Sequence, residues 1–183
     1  MVLETQQMTA AQFDAFVQRP ENREKLFEFI SGEVVAVQSS PYTSYLASCV
    51  LASLVDFVQI NNYGHVTGQG GVYVIHTDRY IPDGAFISYE KQPELAREGY
   101  NPNPPDLAVE VISSDTAAEH AALRIKISGY HAVGTVVWVV YPEEKRIEVH
   151  EPGKKAAIYR EKDTVPGVGM LAGFELTVAD IFS

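Results

Sequence analysis

The stretch Asp106-Leu107-Ala108-Val109-Glu110-Val111-Ile112 decides how this chain folds. Its β-branched and aliphatic residues mark a strand, and alternate side chains of a strand share a face. Asp106, Ala108, Glu110 and Ile112 therefore point one way, while Leu107, Val109 and Val111 point the other and read as core. A glutamate inside such a run is costly to bury without a partner. Asp106 cannot help it share an ion, because four residues span roughly 13 Å along a strand.

The partners are found on either side. Upstream, Ile81-Pro82-Asp83-Gly84-Ala85-Phe86-Ile87 predicts a strand over 83–88 with a carboxylate at its start. Paired Cβ atoms on neighbouring strands lie about 5 Å apart, so Asp83 can meet Glu110 directly. Left alone, two such carboxylates repel and one holds a proton. Together they suit a hard divalent cation, bound through oxygen. Downstream, a helix is predicted over 117–132, capped by Asp115 or Thr116 and closed by Gly134. At 100° per residue Lys126 falls within its apolar face, between Leu123 and Tyr130 on one side and Ala122 on the other, away from Arg124 and His131. A lysine there needs a carboxylate or must snorkel to an edge, and Glu110 is the natural partner. Its ammonium is also a point charge for phosphate. The pattern admits two readings, a metal-dependent phosphodiesterase site and a buried Glu–Lys pair of purely structural purpose, since Asp after Pro is also a common turn residue.

The remaining elements follow from periodicity and punctuation. Thr9 is placed to cap a short helix carrying Phe13, Phe16 and Val17 that ends near Pro20. Residues 25–30 and 33–37, joined by Ser31-Gly32, read as a hairpin with a two-residue turn. Leu46, Val50, Leu51, Leu54, Val55 and Val58 form a helical stripe over 44–60, stopped at Asn61-Asn62-Tyr63-Gly64. One further strand is predicted over 65–76. The Pro- and charge-rich segment 90–105 reads as a loop flexible enough to gate a site. Val136-Val137-Trp138-Val139-Val140-Tyr141 reads as a strand covered on both faces. A second hairpin is predicted over 146–150 and 156–160, before a short C-terminal segment. The order α–ββ–α–βββ–α–β–ββ gives an α/β (α+β) fold with helices flanking a mixed β-sheet. No repeat or low-complexity tract interrupts it, so residues 1–183 are expected to form a single domain.

Size and charge narrow the function. At 183 residues and 46% hydrophobic, the chain can bury a core without staples. Its one cysteine, Cys49, excludes an internal disulfide and a thiolate zinc cluster, and falls in an apolar helical stretch where packing explains it. The N-terminus lacks the basic and apolar regions of a signal peptide, and the run 136–141 is too short to span a bilayer, so a cytoplasmic protein that engages no membrane is expected. A net charge of −10, from 24 acidic and 14 basic residues, argues against a protein that coats nucleic acid. It does not exclude a nuclease, because a bound metal supplies local positive charge. Lys154, Lys155, Arg160 and Lys162, the one basic concentration, read as a solvated hairpin.

The ordered set Phe27-Glu28-Phe29-Ile30-Ser31-Gly32-Glu33, Ile81-Pro82-Asp83, Pro104-Pro105 with the decisive strand, Ser113, Asp115-Thr116, Lys126, Tyr130, Gly134, Val137-Trp138-Val139-Val140 and Gly173-Phe174 carries a resemblance over about residues 8 to 182. It resembles a large, mostly bacterial family of restriction-endonuclease-like proteins in the PD-(D/E)XK nuclease superfamily. The resemblance implies a restriction-endonuclease-like core with N-terminal and C-terminal hairpin additions. It implies a DNA endonuclease in which Asp83 and Glu110 bind Mg2+ (or Mn2+), with the carbonyl of Val111 as an extra ligand. It also implies 5′-phosphate and 3′-hydroxyl products, and a homodimer that pairs two sites. The lysine normally stands two residues past the acidic one, a slot held here by Ile112. Members whose lysine has moved to the following helix point instead to Lys126, whose four-carbon stem can reach the same spot. Glu28 matches a position of active-site support, ahead of Glu33, which directly follows a turn. Tyr42-Thr43-Ser44-Tyr45 stands where relatives often carry a histidine.

Other candidates are weaker. Gly64, Gly68, Gly70 and Gly71 precede a strand and are not followed by Gly-Lys-Ser/Thr, so a bend or bulge accounts for them better than a phosphate loop. Gln69, between them, is a candidate substrate contact. His65, His76, His120, His131 and His150 show no metal-ligand spacing, and His120 beside Glu119 reads as surface. No Ser–His–Asp arrangement can be assembled. Two alternatives to the nuclease stand: a catalytically inactive module that keeps the fold to bind DNA or protein, and a metal-dependent phosphoesterase acting on small substrates.

Overall fold

A computed structural model describes residues 8–114 and 116–182. Its centre is a six-stranded mixed sheet. In chain order its strands are β3 (Gly64–Gly68), β6 (Gly84–Ser88), β7 (Leu107–Val111), β8 (Val136–Tyr141), β9 (Arg146–His150) and β10 (Ala157–Arg160). Their spatial order is β10-β9-β8-β7-β6-β3, with β7 and β8 parallel and every other pair antiparallel. A parallel pair needs a crossover, and α3 (Ala117–Ala132) supplies it between β7 and β8. A smaller four-stranded sheet is built from β1 (Phe27–Ile30), β2 (Glu33–Ala36), β4 (Tyr73–Ile75) and β5 (Asp78–Tyr80), in the order β2-β1-β5-β4.

The two faces of β7 bury two different cores. Leu107, Val109 and Val111 pack with Phe86, Trp138 and Val140 against α2 (Pro41–Asn61) and the C-terminal segment. Ala108 and Ile112 pack with Ile87, Val137 and Val139 against Leu123 and Tyr130 of α3 and against Tyr73, Ile75 and Tyr80 of the smaller sheet. Glu110 shares this second face. The fold class is the mixed α+β arrangement expected, with helices on both faces.

Local chemistry sets the boundaries. Thr9 and Gln12 form a capping box on α1 (Ala10–Val17). Ser31 and Gly32 both take positive φ, the requirement of the tight hairpin turn between β1 and β2. Thr116 caps α3 through the Glu119 amide, while Asp115 lies outside the described residues. α2 begins earlier than its apolar stripe, because Ser40 caps it and Pro41 fills its first turn. By length and composition α2 could cross a bilayer. Leu46, Val50, Leu54 and Val58 are nevertheless buried against the sheet.

Three expectations need correction. The strand predicted over 65–76 is two strands in two sheets, β3 and β4. Gly70 turns the chain at φ +107°, and a Cβ on Gly71 would lie 2.7 Å from the Thr67 hydroxyl. The residues after it form β5, joined to β4 through His76 at φ 54°, a turn without the usual Asn-Gly signal. The C-terminal segment is itself a small hairpin, β11 (Thr164–Pro166) with β12 (Glu175–Thr177), followed by α4 (Val178–Ile181). The loop 90–105 is pinned: Gln92 and the Ala96 amide donate to Asn101 Oδ1, and the Asn101 amide donates to Val72. It contributes no residue to the cavity described next.

Candidate active site: one lysine among three carboxylates

Antiparallel pairing of β6 with β7 sets Gly84 opposite Val109, which brings Asp83, just before β6, alongside Glu110. The hairpin β1–β2 pairs through Phe29 with Arg79 of β5, and so delivers Glu28 to the same place. α3, packed over the face that carries Glu110, adds Lys126. The four side chains line one cavity of about 300 Å³, with Val111, Ile112, Ser113, Ser114 and Glu119 among its other walls.

Lys126 is the hub. Its Nζ lies 2.7 Å from Glu110 Oε1 and donates to Oε2 at 2.8 Å. It also lies 2.9 Å from Glu28 Oε1, which accepts the Ile81 amide at 2.7 Å. That amide bond ties Glu28 to the segment bearing Asp83. Glu28, Glu110 and Lys126 are all buried. Asp83 Oδ2 accepts the Val111 amide at 2.8 Å, and its Oδ1 accepts the side-chain amide of Gln69 at 3.3 Å. Tyr130, one helical turn beyond Lys126, donates its hydroxyl to Glu110 Oε1 at 3.0 Å.

Glu28 and Glu110 therefore share one ammonium, while Asp83 beside Glu110 takes its hydrogen bonds from the Val111 amide and Gln69, so that carboxylates outnumber the cation in this pocket. Burial, then the Glu28 and Asp83 charges, push the Glu110 carboxyl up to about 7 against the pull of Lys126. Burial likewise raises Asp83, although the Val111 amide and Lys126 oppose it. Burial alone would discharge Lys126, but Glu110 and Glu28 more than compensate and hold it charged. The origins differ: desolvation raises the carboxyls, whereas the paired carboxylates outweigh desolvation at the ammonium.

The donors that remain suit a hard divalent cation. Asp83 offers two carboxylate oxygens and Glu110 offers Oε2, each with a second lone pair beyond its present partner, while Glu110 Oε1 is already engaged by both Lys126 and Tyr130. Among the described residues, no group of three or more carboxylate, imidazole or thiolate side chains is gathered to cage an ion alone. An ion would thus be held by two carboxylates, completed by backbone oxygen, water and substrate, the coordination that Mg2+ favours.

The residues singled out from the sequence fall in different places. Asp83, Glu110, Lys126, Glu28 and Val111 line it. Gln69 sits in the turn after β3, not on a strand, and reaches the cavity only through Asp83. Ile112, in the usual lysine slot, is buried with the core beneath α3. Asp106 is remote in function: it accepts the Ser88 amide at 2.7 Å and pairs with Lys91 at 3.2 Å. Two contributors were missed. Tyr130 reads as plain core, but a tyrosine rather than a phenylalanine four residues past a buried lysine is the signal that its hydroxyl has a polar partner. Glu119 has no role assigned from the sequence, yet its carboxylate accepts both the amides and the hydroxyls of Ser113 and Ser114, at 2.6–2.8 Å. Burial would raise it, but these hydrogen bonds hold it below the usual range and fix the rim of the cavity.

The family model described as "Uma2: Putative restriction endonuclease" matches residues 13–179. No curated protein matches the chain. Among solved structures, a putative nuclease belonging to DUF820 from Anabaena variabilis ATCC 29413 superposes with a TM-score of 0.80 at 17% sequence identity, over 96% of this chain and 97% of that one. At that identity the likeness speaks for the fold.

Proposed function

This chain belongs to the Uma2 family of putative restriction endonucleases, and from that premise we propose that it is a metal-dependent endonuclease that hydrolyses phosphodiester bonds in DNA. The observation that carries the proposal is the charge imbalance around Lys126: a cavity in which one ammonium serves Glu28 and Glu110, with Asp83 beside them, is poised for a divalent cation, magnesium or manganese. Such an ion, when bound, polarises a phosphate and lowers the pKa of an attacking water.

The chain's own residues divide the remaining work. Asp83 and Glu110 would hold the cation, with Val111 contributing backbone oxygen. Asp83 is oriented for this by the Val111 amide and Gln69, which leaves Gln69 at the edge of the cavity to contact substrate. Lys126, held charged by its two carboxylates, neutralises charge that builds on the phosphate or orients the water. Glu28 keeps that ammonium in place, through its own bond from the Ile81 amide. The products are a 5′-phosphate and a 3′-hydroxyl. The protein acts as a cytoplasmic homodimer, setting two cavities against the two strands of a duplex.

One observation favours a second reading. Lys126 already engages both oxygens of Glu110, so the cluster can satisfy itself as an inert ion pair in a non-catalytic DNA- or protein-binding module. Magnesium separates the two. Calorimetric titration should show binding by the wild type and none by Asp83→Asn or Glu110→Gln, and plasmid cleavage should fail in both variants while each stays folded. A wild-type protein that ignores magnesium and manganese, with and without DNA, sinks the nuclease and leaves the inert module.

A further inference from the structure

Tyr130 carries a polar group to which the chemistry above assigns no task. The side chain is fully buried, and its hydroxyl donates to Glu110 Oε1 at 3.0 Å. Toward the ionised carboxylate the phenol is the donor, and burial with two neighbouring carboxylates keeps its proton on. The ring is held independently. It meets Tyr80 edge-on at 5.0 Å between centroids and packs within the core beneath α3. Core packing accounts for an aromatic ring here, but not for a hydroxyl. A buried hydroxyl adds a desolvation cost that a phenylalanine would avoid.

The two donors on Glu110 differ in kind. Lys126 sits astride both oxygens and is itself a cation, so a second cation must compete with it for the carboxylate. Tyr130 is a neutral donor confined to Oε1, and it can stay there beside a bound ion without repelling it. Hydrogen bonds of this kind orient metal-binding side chains and narrow the geometries they sample. We propose that Tyr130 is a positioning residue for Glu110: by keeping Oε1 it reserves Oε2 as the oxygen that a divalent cation receives. This inference rests on the metal-dependent reading above and adds to it a residue and a choice of oxygen.

The test uses the full chain and magnesium as the probe. Tyr130→Phe removes the hydroxyl and keeps the ring. Tyr80→Phe is the control, because the Tyr80 hydroxyl donates to Asp78 at 3.3 Å and not to the cluster. Calorimetry should show magnesium binding weakened about 10- to 100-fold in Tyr130→Phe and unchanged in Tyr80→Phe. In a cleavage assay the magnesium concentration for half-maximal rate should rise, with the rate recovering at saturation. A merely structural role would lower both together through loss of folded protein. If wild type and Tyr130→Phe bind magnesium equally, the positioning role is wrong while the metal site stands. If wild type does not bind, the metal reading falls and this inference with it. Should Tyr130→Phe not fold, the wild type decides alone: the hydrogen-bonded Tyr130 hydroxyl proton should remain visible by NMR when magnesium is saturating, and its loss on metal addition overturns the inference.

Discussion

Replacing Lys126 with methionine tests the charge balance of the cavity more directly than any loss of activity. Methionine keeps an unbranched stem of similar reach and removes only the ammonium. Glu28 and Glu110 then lose a cation at 2.9 Å and 2.7 Å, with Asp83 adding a third negative charge nearby. Breaking a buried ion pair by removing one partner costs about 3–5 kcal/mol. For a chain of this size each kcal/mol lowers the melting temperature by roughly 2–4 °C, so the variant should melt about 6–20 °C below wild type at pH 8 without metal. The cost is electrostatic, so two unrelated treatments should reduce it. Lowering the pH to 5.5 protonates carboxylates that have lost their counter-ion. Adding magnesium at a hundred times its dissociation constant returns about 2.7 kcal/mol if the variant still binds it. The assay is a set of thermal melts of wild type and variant at both pH values, with and without magnesium. Leu123→Ala serves as a packing control on the same helix. A deficit equal at pH 5.5 and pH 8, and indifferent to magnesium, would show that Lys126 matters for its stem and not its charge.

Two further outcomes follow from the same geometry. The Glu110 carboxyl is raised from 4.5 to about 7 in the folded state, so the folded protein holds a proton that the unfolded chain releases. Metal-free stability should therefore fall as pH rises through the range between the unfolded and folded values, and magnesium should flatten the slope; urea melts across this range that stay level without metal would contradict it. Gly129→Ala should cost about 1–3 kcal/mol by overpacking, since its Cβ would lie 2.3 Å from the Tyr80 hydroxyl, and Tyr80→Phe should relieve part of that loss in a double-mutant cycle.

What the sequence made legible was whatever a single element's periodicity can carry. The alternation of 107–111 separates its two faces without reference to anything else, and the helical phase of Lys126 places it on the buried side of α3. Once both are known, a lysine above a sheet and a glutamate on its facing side have few other places to go. Glu28 is different in kind. A two-residue hairpin turn says nothing about where the hairpin will dock, so its approach to Lys126 was visible only through resemblance, not through pattern. The strands β4 and β5 failed for a related reason. Each is three residues long and is held by its neighbour's ladder and by His76 in a left-handed turn, so their own residues hardly specify them. The missed site contributors extend the argument to side-chain ends. Tyr130 and Glu119 have the right positions for core and surface, and their tasks lie in single atoms whose partners come from a strand end 20 residues away and from a rim six residues away. Periodicity reports which face a residue occupies, but a catalytic site is built from which atom meets which. That is why several of the cavity's residues could be named from the sequence while the sharing of one lysine by Glu28 and Glu110, with Asp83 alongside, could not.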